Sequence, residues 1–531
     1  MIKVIIIPVL LFKEEEMLKN LPIGIQDFKE LRERECIYVD KTETLLKLIT
    51  DGKYYFLSRP RRFGKSLTIS TLAEIFEGSK ELFEGLYIYD KIEWKKRPVI
   101  RVDFTSDSFK KIGLEEAINE MLDKTAKKYD LNLSKESNRG RFGELIEKLH
   151  KKNGEKVVVL IDEYDKPIID YLENIDKGVE NREILRDFYG VVKPMDPHLE
   201  FVMMTGVSKF SKVSIFSELN NLNDITTSRH YSDIVGLTKE EIDKNFKDYK
   251  KIASTALSVS TVELDEKMKF WYDGYSWDHL KWVYNPFSML KFFHEQVFDN
   301  YWFATGTPTF LVNFIRNKGI NAINLENTEV DSIFFDKFDI ENLDIISLMF
   351  QTGYLTIKDK NEYGEFILGY PNEEVRLSMT RSLLEGYTFE VDSNVKTTLN
   401  ALRESLKSND ISTFYKNINA LFASIPNQIF INKQEAYYQS IIYLTLKFLG
   451  VYIDCEVSTN RGRIDGVIKT DKYIYIMEFK MAPATPQDAL NQIKEKGYHI
   501  SYQTDNREKY IIGISFDPEK KQLSELEIEK F

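Results

Sequence analysis

Tyr54-Tyr55-Phe56-Leu57-Ser58-Arg59-Pro60-Arg61-Arg62-Phe63-Gly64-Lys65-Ser66 decides how the first half of this chain is read. Tyr54–Ser58 reads as a short strand and Arg59–Ser66 as a loop. Leu67–Glu77 reads as a helix closed by Gly78, which takes up the left-handed backbone of a helix end without steric cost. A loop ending in Gly-Lys-Ser between strand and helix is the context in which backbone N–H groups at a helix N-terminus cradle phosphates. Lys65 would reach the β- and γ-phosphates and Ser66 would ligate Mg²⁺, with Arg61, Arg62, Phe63 and Gly64 completing the cradle. Arg59 stands where the general pattern has its first glycine.

Two stretches further on complete the expectation. Val157-Val158-Val159-Leu160-Ile161-Asp162-Glu163 is a five-residue apolar run ending in two carboxylates. Such a run suits a strand buried on both faces. Asp162 would hold Mg²⁺ and Glu163 would polarise the attacking water. Phe201–Thr205 is another strand, and Thr205, before Gly206, could sense a γ-phosphate. Pro98–Phe104 is a further strand, helices fill 41–52 and 113–150, and the alternation implies a mostly parallel α/β sheet over 40–235.

The far end of the chain carries a second constellation. Gly462-Arg463-Ile464-Asp465-Gly466-Val467-Ile468 and Tyr473-Ile474-Tyr475-Ile476-Met477-Glu478-Phe479-Lys480 read as two strands joined by a polar turn over Lys469–Lys472. A turn centred near Thr470 and Asp471 pairs Asp465 with Ile476 and makes Glu478 its diagonal neighbour, within roughly 7–8 Å. Period-two alternation puts Asp465, Glu478 and Lys480 on one face. Two carboxylates supply hard oxygen ligands for Mg²⁺, which activates water, and a lysine steadies developing negative charge. Glu435, on a helix upstream, and Gln492, on a helix after Pro486, are candidates for the same site.

Between these ends, residues after 240 turn helical and aromatic. Leu343–Phe350 reads as a helix broken at Gly353, and Tyr354–Lys358 with Glu365–Tyr370 as a hairpin around Asn361–Gly364. Helix then hairpin suits a winged-helix module; lacking a basic recognition helix, it is expected to join domains rather than grip DNA. The resulting division is a leader over 1–16 outside the fold, an ATPase domain over 17–240, and a helical lid over 241–340. A winged-helix-like and helical connector over 341–425 and a nuclease domain over 426–531 complete it. A chain of 531 residues is too long for one core.

With 43% hydrophobic and 30% charged residues, the composition is that of an ordinary globular protein. The net charge of −11 excludes a uniformly basic nucleic-acid coat but not a local groove. Cys36 and Cys455 give no disulfide framework, which suits a reducing, cytoplasmic setting, and the apolar start Val4–Phe12 is too short to span a bilayer.

Leu21-Pro22-Ile23-Gly24-Ile25-Gln26-Asp27-Phe28, Tyr38-Val39-Asp40-Lys41-Thr42 and the Arg59–Ser66 loop together resemble the start of the AAA-ATPase-like family of prokaryotic proteins. Asp162-Glu163-Tyr164-Asp165-Lys166-Pro167, Thr205-Gly206-Val207-Ser208-Lys209 and Trp271-Tyr272-Asp273-Gly274-Tyr275 are similar to that family too. The resemblance implies a C-terminal nuclease domain of the PD-(D/E)XK superfamily, with Glu435, Asp465, Glu478-X-Lys480 and Gln492 following its motif order. It also implies that Arg59 is the family's own choice. The expected activity is ATP binding and hydrolysis coupled to Mg²⁺-dependent cleavage of nucleic acid, read as DNA with RNA left open. A homo-oligomer or a protein partner is open, and a further expectation is an ATPase whose main task is protein recognition, with the aromatic stretch 270–310 as the docking surface. The rival expectation is a nucleotide-dependent switch whose nuclease-like domain binds without cutting.

Overall fold

The computed structural model describes residues 18–105, 108–209, 221–305, 309–318, 320, 322–336, 340–388, 392–423, 435–449, 454–459, 464–497, 499–517, 519–520 and 522–531. The expected leader over 1–16 lies outside the described residues.

The N-terminal sheet consists of β1 (Tyr54–Ser58), β2 (Val99–Asp103), β3 (Val157–Asp162), β4 (Leu199–Gly206) and β5 (Asn223–Asp224). Its order is β2-β3-β4-β1-β5 and all pairings are parallel. All of β1 and β3 is buried, because helices cover both faces, as parallel sheets require. β4 lies between β1 and β3, so Ser58, Asp162 and Gly206 end at one edge of the sheet. That edge is where an open α/β sheet holds its ligands.

The helix after the phosphate loop runs Lys65–Glu77, with Gly64 as its N-cap at φ 100° and Gly78 as its C-cap at φ 80°. It starts two residues earlier than the sequence suggests, placing Lys65 and Ser66 in its first turn. The first turn has N–H groups without intrahelical partners, so the loop delivers both side chains and free donors to one place.

The central region is helical, as expected, and ends in the anticipated helix and hairpin. Helix Ile345–Thr352 is capped by Gly353 at φ 91°. β7 (Thr356–Lys360) and β8 (Phe366–Gly369) pair antiparallel, and β6 (Thr328–Val330) adds a third strand that the sequence did not reveal. Three residues are too few to show a period. Helices Glu373–Thr388, Asp392–Lys407 and Ile411–Ala423 follow.

The C-terminal sheet holds β9 (Asp454–Thr459), β10 (Ile464–Lys469), β11 (Tyr473–Met481), β12 (Glu508–Asp517) and β13 (Gln522–Lys530), in the order β13-β12-β11-β10-β9. Only β11 and β12 are parallel, and helix Pro486–Glu495 crosses between them. Helix Glu435–Leu449 packs on β9 and β10. The connector helices pack on this sheet as well: Tyr475 donates to the Leu406 carbonyl at 2.8 Å, and Tyr415 to that of Leu523 at 2.8 Å. Among the described residues, no helix is long and apolar enough to cross a membrane.

Candidate functional site

At the phosphate loop, Lys65 is almost fully buried and its Nζ donates to the carbonyls of Arg59 at 3.0 Å and Pro60 at 3.1 Å. Glu163 Oε1 stands 3.6 Å away. Asp162 is buried at the end of β3 and accepts from Thr205 Oγ1 at 2.6 Å and from the Ser66 hydroxyl. Burial pushes the Asp162 carboxyl above its usual range, and those hydroxyls oppose the shift. Ser66, Lys65, Asp162, Glu163 and Thr205, drawn from three strand ends, therefore form one cluster.

The backbone here is held in conformations that serve the cluster. Arg62 and Glu163 take φ of 68° and 52°, left-handed values uncommon for side-chain-bearing residues and concentrated at functional sites. Asp165, fully buried, accepts from the N–H groups of Val207 at 3.1 Å and Ser208 at 2.5 Å and from Ser208 Oγ at 2.6 Å. Burial, aided by the Glu163 charge, pushes its carboxyl up to about 6. Asp165 thus fixes the turn that follows Thr205, a positioning role that only a contact could reveal.

The three loop arginines divide their work. Arg59 is fully buried, its guanidinium donating to Ser58 O at 2.8 Å and Thr226 O at 2.7 Å and lying 4.0 Å from the Trp277 ring centroid. Burial lowers its pKa to about 9. It ties the end of β1 to its neighbours and does not reach the loop's open side. Arg62 lies 4.6 Å over the Phe287 ring and, like Arg61, is exposed. Phe63 is buried, edge-on to Tyr275 with centroids 4.7 Å apart, so only its backbone can serve a ligand.

Two cavities flank the loop. A narrow one of about 100 Å³ opens beside Gly64 and is walled by Val39, Leu67, Thr68, Val235, Leu237 and Leu290. The other, of about 370 Å³, lies by Arg61 against Asp170, Val207, Trp302, Leu311 and Tyr354. Neither was legible in the sequence, since their walls come from segments more than two hundred residues apart.

At the C-terminal hairpin the register is Ile464↔Phe479, Asp465↔Glu478 and Val467↔Ile476. Asp465 therefore lies directly opposite Glu478, not opposite Ile476. Thr470 N donates to Tyr473 O at 2.8 Å and Thr470 Oγ1 accepts from Tyr473 N at 2.9 Å, which moves the turn centre one residue on and the register by two. Parity is kept, so the shared face survives the correction and directly opposed Cβ atoms lie about 5 Å apart.

Glu478 is fully buried. Its Oε1 accepts from Lys480 Nζ at 3.1 Å and from Gln492 Nε2 at 2.5 Å, and Lys480 also donates to Gln492 Oε1. Its Oε2 is buried and has no hydrogen-bond partner among the described residues. A buried carboxylate oxygen without a partner is costly, and such an oxygen has the chemistry of a ligand for a hard divalent cation; the residue paired with Glu478 across the ladder is Asp465. Glu478, Lys480 and Gln492 are thus brought together. Helix Glu435–Leu449 begins at Glu435; the side chains of Glu435 and Asp465 lie outside what is described. Gly513, opposite Glu478 on β12, is a residue the sequence reading missed. A Cβ there would stand 2.1 Å from the Pro486 carbonyl, so its absence lets the Gln492 helix sit close enough to reach Glu478.

Two family models match. Residues 22–216 match one described as a predicted AAA-ATPase, and residues 433–526 one for the PD-(D/E)XK nuclease superfamily. An uncharacterized protein in the vnfD 5′ region of Azotobacter chroococcum mcd 1 is 40% identical over 516 residues, covering 95% of this chain and 98% of that protein.

The chain belongs to the AAA-ATPase-like family.

This AAA-ATPase-like protein carries a PD-(D/E)XK nuclease superfamily domain at its C-terminus. Its fold is mixed α/β, with the N-terminal parallel sheet matching the ATPase-like domain and the C-terminal mixed sheet the nuclease domain. It is therefore a nucleotide-binding, nuclease-like protein.

Proposed function

We propose that the protein binds and hydrolyses ATP at the Arg59–Ser66 loop and cleaves DNA phosphodiesters at the β10–β11 hairpin with Mg²⁺. The observation that supports the reading is the presence of two clusters: Lys65, Ser66, Asp162, Glu163 and Thr205 at one, and Glu478, Lys480 and Gln492 at the other, with Asp465 paired to Glu478 in the strand ladder. The domain limits proposed are 17–240 for the ATPase domain, 241–340 for the lid, 341–425 for the connector and 426–531 for the nuclease, all in the cytoplasm.

At the loop, Lys65 exchanges the Arg59 and Pro60 carbonyls for phosphate oxygens, which offer it a charge-assisted bond. The N–H groups of the first helical turn do the same for the rest of the triphosphate. Ser66 and Asp162 would hold Mg²⁺, which would neutralise phosphate charge, and Glu163 would take the proton of the attacking water. Thr205 orients Asp162, and Arg61 and Arg62 lie exposed at the rim for the phosphates. The apolar cavity beside Gly64 suits a nucleobase, since it adjoins the helix N-terminus.

At the hairpin, Asp465 and Glu478 would hold Mg²⁺, and the ion would supply an activated water and charge neutralisation. Lys480 donates to the phosphate or orients the water, and Gln492 holds both Lys480 and the Oε1 of Glu478, leaving Oε2 for the metal. Glu435 at the start of its helix extends the acidic set.

Purified protein incubated with plasmid, Mg²⁺ and ATP tests the reading. Cleavage lost with EDTA, together with release of inorganic phosphate, is expected. ATP binding with no cleavage under any condition would establish the switch in its place.

A further inference from the structure

We infer that helix Glu373–Thr388 is a rigid rod through which the phosphate loop and the C-terminal sheet sense each other's state. The inference rests on reading the two ends as a nucleotide site and a nuclease, and it names the device that would couple them.

The rod is anchored to the loop through Trp302. The indole Nε1–H donates to the Arg61 carbonyl at 3.0 Å, and the Trp302 backbone N–H donates to Glu374 Oε1 at 2.5 Å. Ser288 Oγ donates to the other carboxylate oxygen at 2.8 Å. Glu374 and Ser288 are fully buried and Trp302 nearly so. Beside this anchor, Gly353 presses on the loop so closely that a Cβ would stand 2.6 Å from the Pro60 ring. Gln351 accepts from the Lys209 N–H at 2.9 Å, so the central module also grips the segment after Thr205.

The loop has a reason to adopt two arrangements. Lys65 now holds the Arg59 and Pro60 carbonyls. An anion at the helix N-terminus competes for that ammonium and frees both carbonyls, and Arg61 is the next residue. Movement there passes directly to Trp302 and Glu374, because a buried hydrogen bond is expensive to break without replacement.

At the other end stands Tyr387, thirteen residues along and therefore about 20 Å away at 1.5 Å per residue. Its hydroxyl donates to the Ile320 carbonyl at 2.8 Å and bonds the Ser440 hydroxyl, which itself accepts from the Ala322 N–H at 2.9 Å. Ser440 belongs to helix Glu435–Leu449, and Leu446 of that helix lies 3.1 Å from where a Cβ of Gly466 would be. Gly466 follows Asp465, whose cross-strand partner is Glu478. A continuous buried line thus joins Arg61 to the metal-binding strand pair. Contiguity alone does not establish coupling, so the test interrupts the line at a point remote from both sites.

The experiment measures hydrogen exchange over 435–449 and 464–481 in the full chain, with and without Mg·ATP, alongside plasmid cleavage and ATP affinity. The native protein should show an ATP-dependent change in protection. Tyr387→Phe, and separately Ser440→Ala, should remove that change while leaving ATP affinity and nucleotide-free cleavage at native values. Each should also cut the ratio of cleavage rates with and without ATP by about 5-fold or more. Trp302→Phe, which keeps an aromatic side chain and the backbone bond to Glu374 but loses the indole N–H and part of its bulk, should uncouple from the other end. A chain that never cuts, yet shows the exchange change lost in these variants, sinks the nuclease reading and upholds the rod. Native exchange changes or native ATP ratios in Tyr387→Phe and Trp302→Phe overturn the rod and leave the nuclease reading standing.

Discussion

The phosphate loop and the C-terminal hairpin both set carboxylates beside a lysine, but they leave those charges in opposite conditions. At the loop, Lys65 is occupied by two carbonyls and faces Glu163, while Asp162 is held by Thr205 and Ser66. At the hairpin, one oxygen of Glu478 is served by Lys480 and Gln492 and the other has no hydrogen-bond partner among the described residues. The loop cluster is satisfied by its own groups, whereas the hairpin leaves one buried carboxylate oxygen bare, at a cost in desolvation.

Substitutions at the hairpin, at the two loop charges, at Arg59 and at Glu374 test that contrast and the framework behind it. The largest effect is expected at the hairpin. Glu478→Ala or Asp465→Ala should lower plasmid cleavage by about 10³-fold, because a metal ligand worth several kcal/mol is lost at about 1.4 kcal/mol per tenfold. In the same experiment Mg²⁺ should raise the melting temperature of the native protein and not of Glu478→Ala, since only a state that binds the ion is stabilised by it. Equal cleavage by both variants and the parent would reduce the hairpin to a charged strand face.

Next come the two loop charges. Glu163→Gln should retain ATP binding and lose turnover by about 10²–10⁴-fold, the range for general-base catalysis; phosphate release and equilibrium binding separate the two. Lys65→Ala should weaken ATP about 10- to 100-fold, for a bond to a charged group worth about 1.5–3 kcal/mol. ATP binding at the native level in Lys65→Ala would mean that the loop does not hold the triphosphate.

A smaller effect is expected of Arg59→Lys, which keeps the charge but cannot span Ser58 O, Thr226 O and the Trp277 face together. Denaturant unfolding should show a loss of about 2 kcal/mol, near the middle of the range for single substitutions, with little change in ATP affinity for what remains folded. A fall in affinity without loss of stability would move Arg59 from the framework to the ligand.

The smallest effect concerns Glu374, whose carboxyl burial pushes up to about 7 from its ordinary 4.5. A raised folded pKa gives stability that is full below pH 4.5 and is lost as the pH rises through about 7. Glu374→Gln stays neutral, so its stability should lack this fall, amounting to roughly 1–3 kcal/mol between pH 5 and pH 8. Parallel melting curves for parent and variant over that range would show that the carboxyl is ionised throughout.

Much of the fold was legible because its signals are local. The apolar run Val157–Ile161 announces a strand buried on both faces, and Gly78 and Gly353 mark helix ends that the structure confirms at φ 80° and 91°. The shared face of Glu478 and Lys480 follows from period-two alternation, and Asp465 joins it because the turn kept the expected parity; the register itself differs by two, because the Thr470 side chain closes the turn one residue later than centring between Thr470 and Asp471 requires.

By itself the sequence determined the parallel α/β class of the first half, the polar and charged residues at its strand ends and the residue types at both candidate sites. These depend on spacing along the chain, which backbone geometry converts directly into shared faces and edges. Only the tertiary structure decided that Arg59 is framework, that Asp165 fixes the turn after Thr205, and that Gly513 admits the helix of Gln492. It alone also decided that Trp302 and Glu374 stand between the loop and the C-terminal sheet. Each of these roles is a contact between segments tens to hundreds of residues apart, and such a contact has no periodicity to betray it: it exists only once burial has forced the partners together.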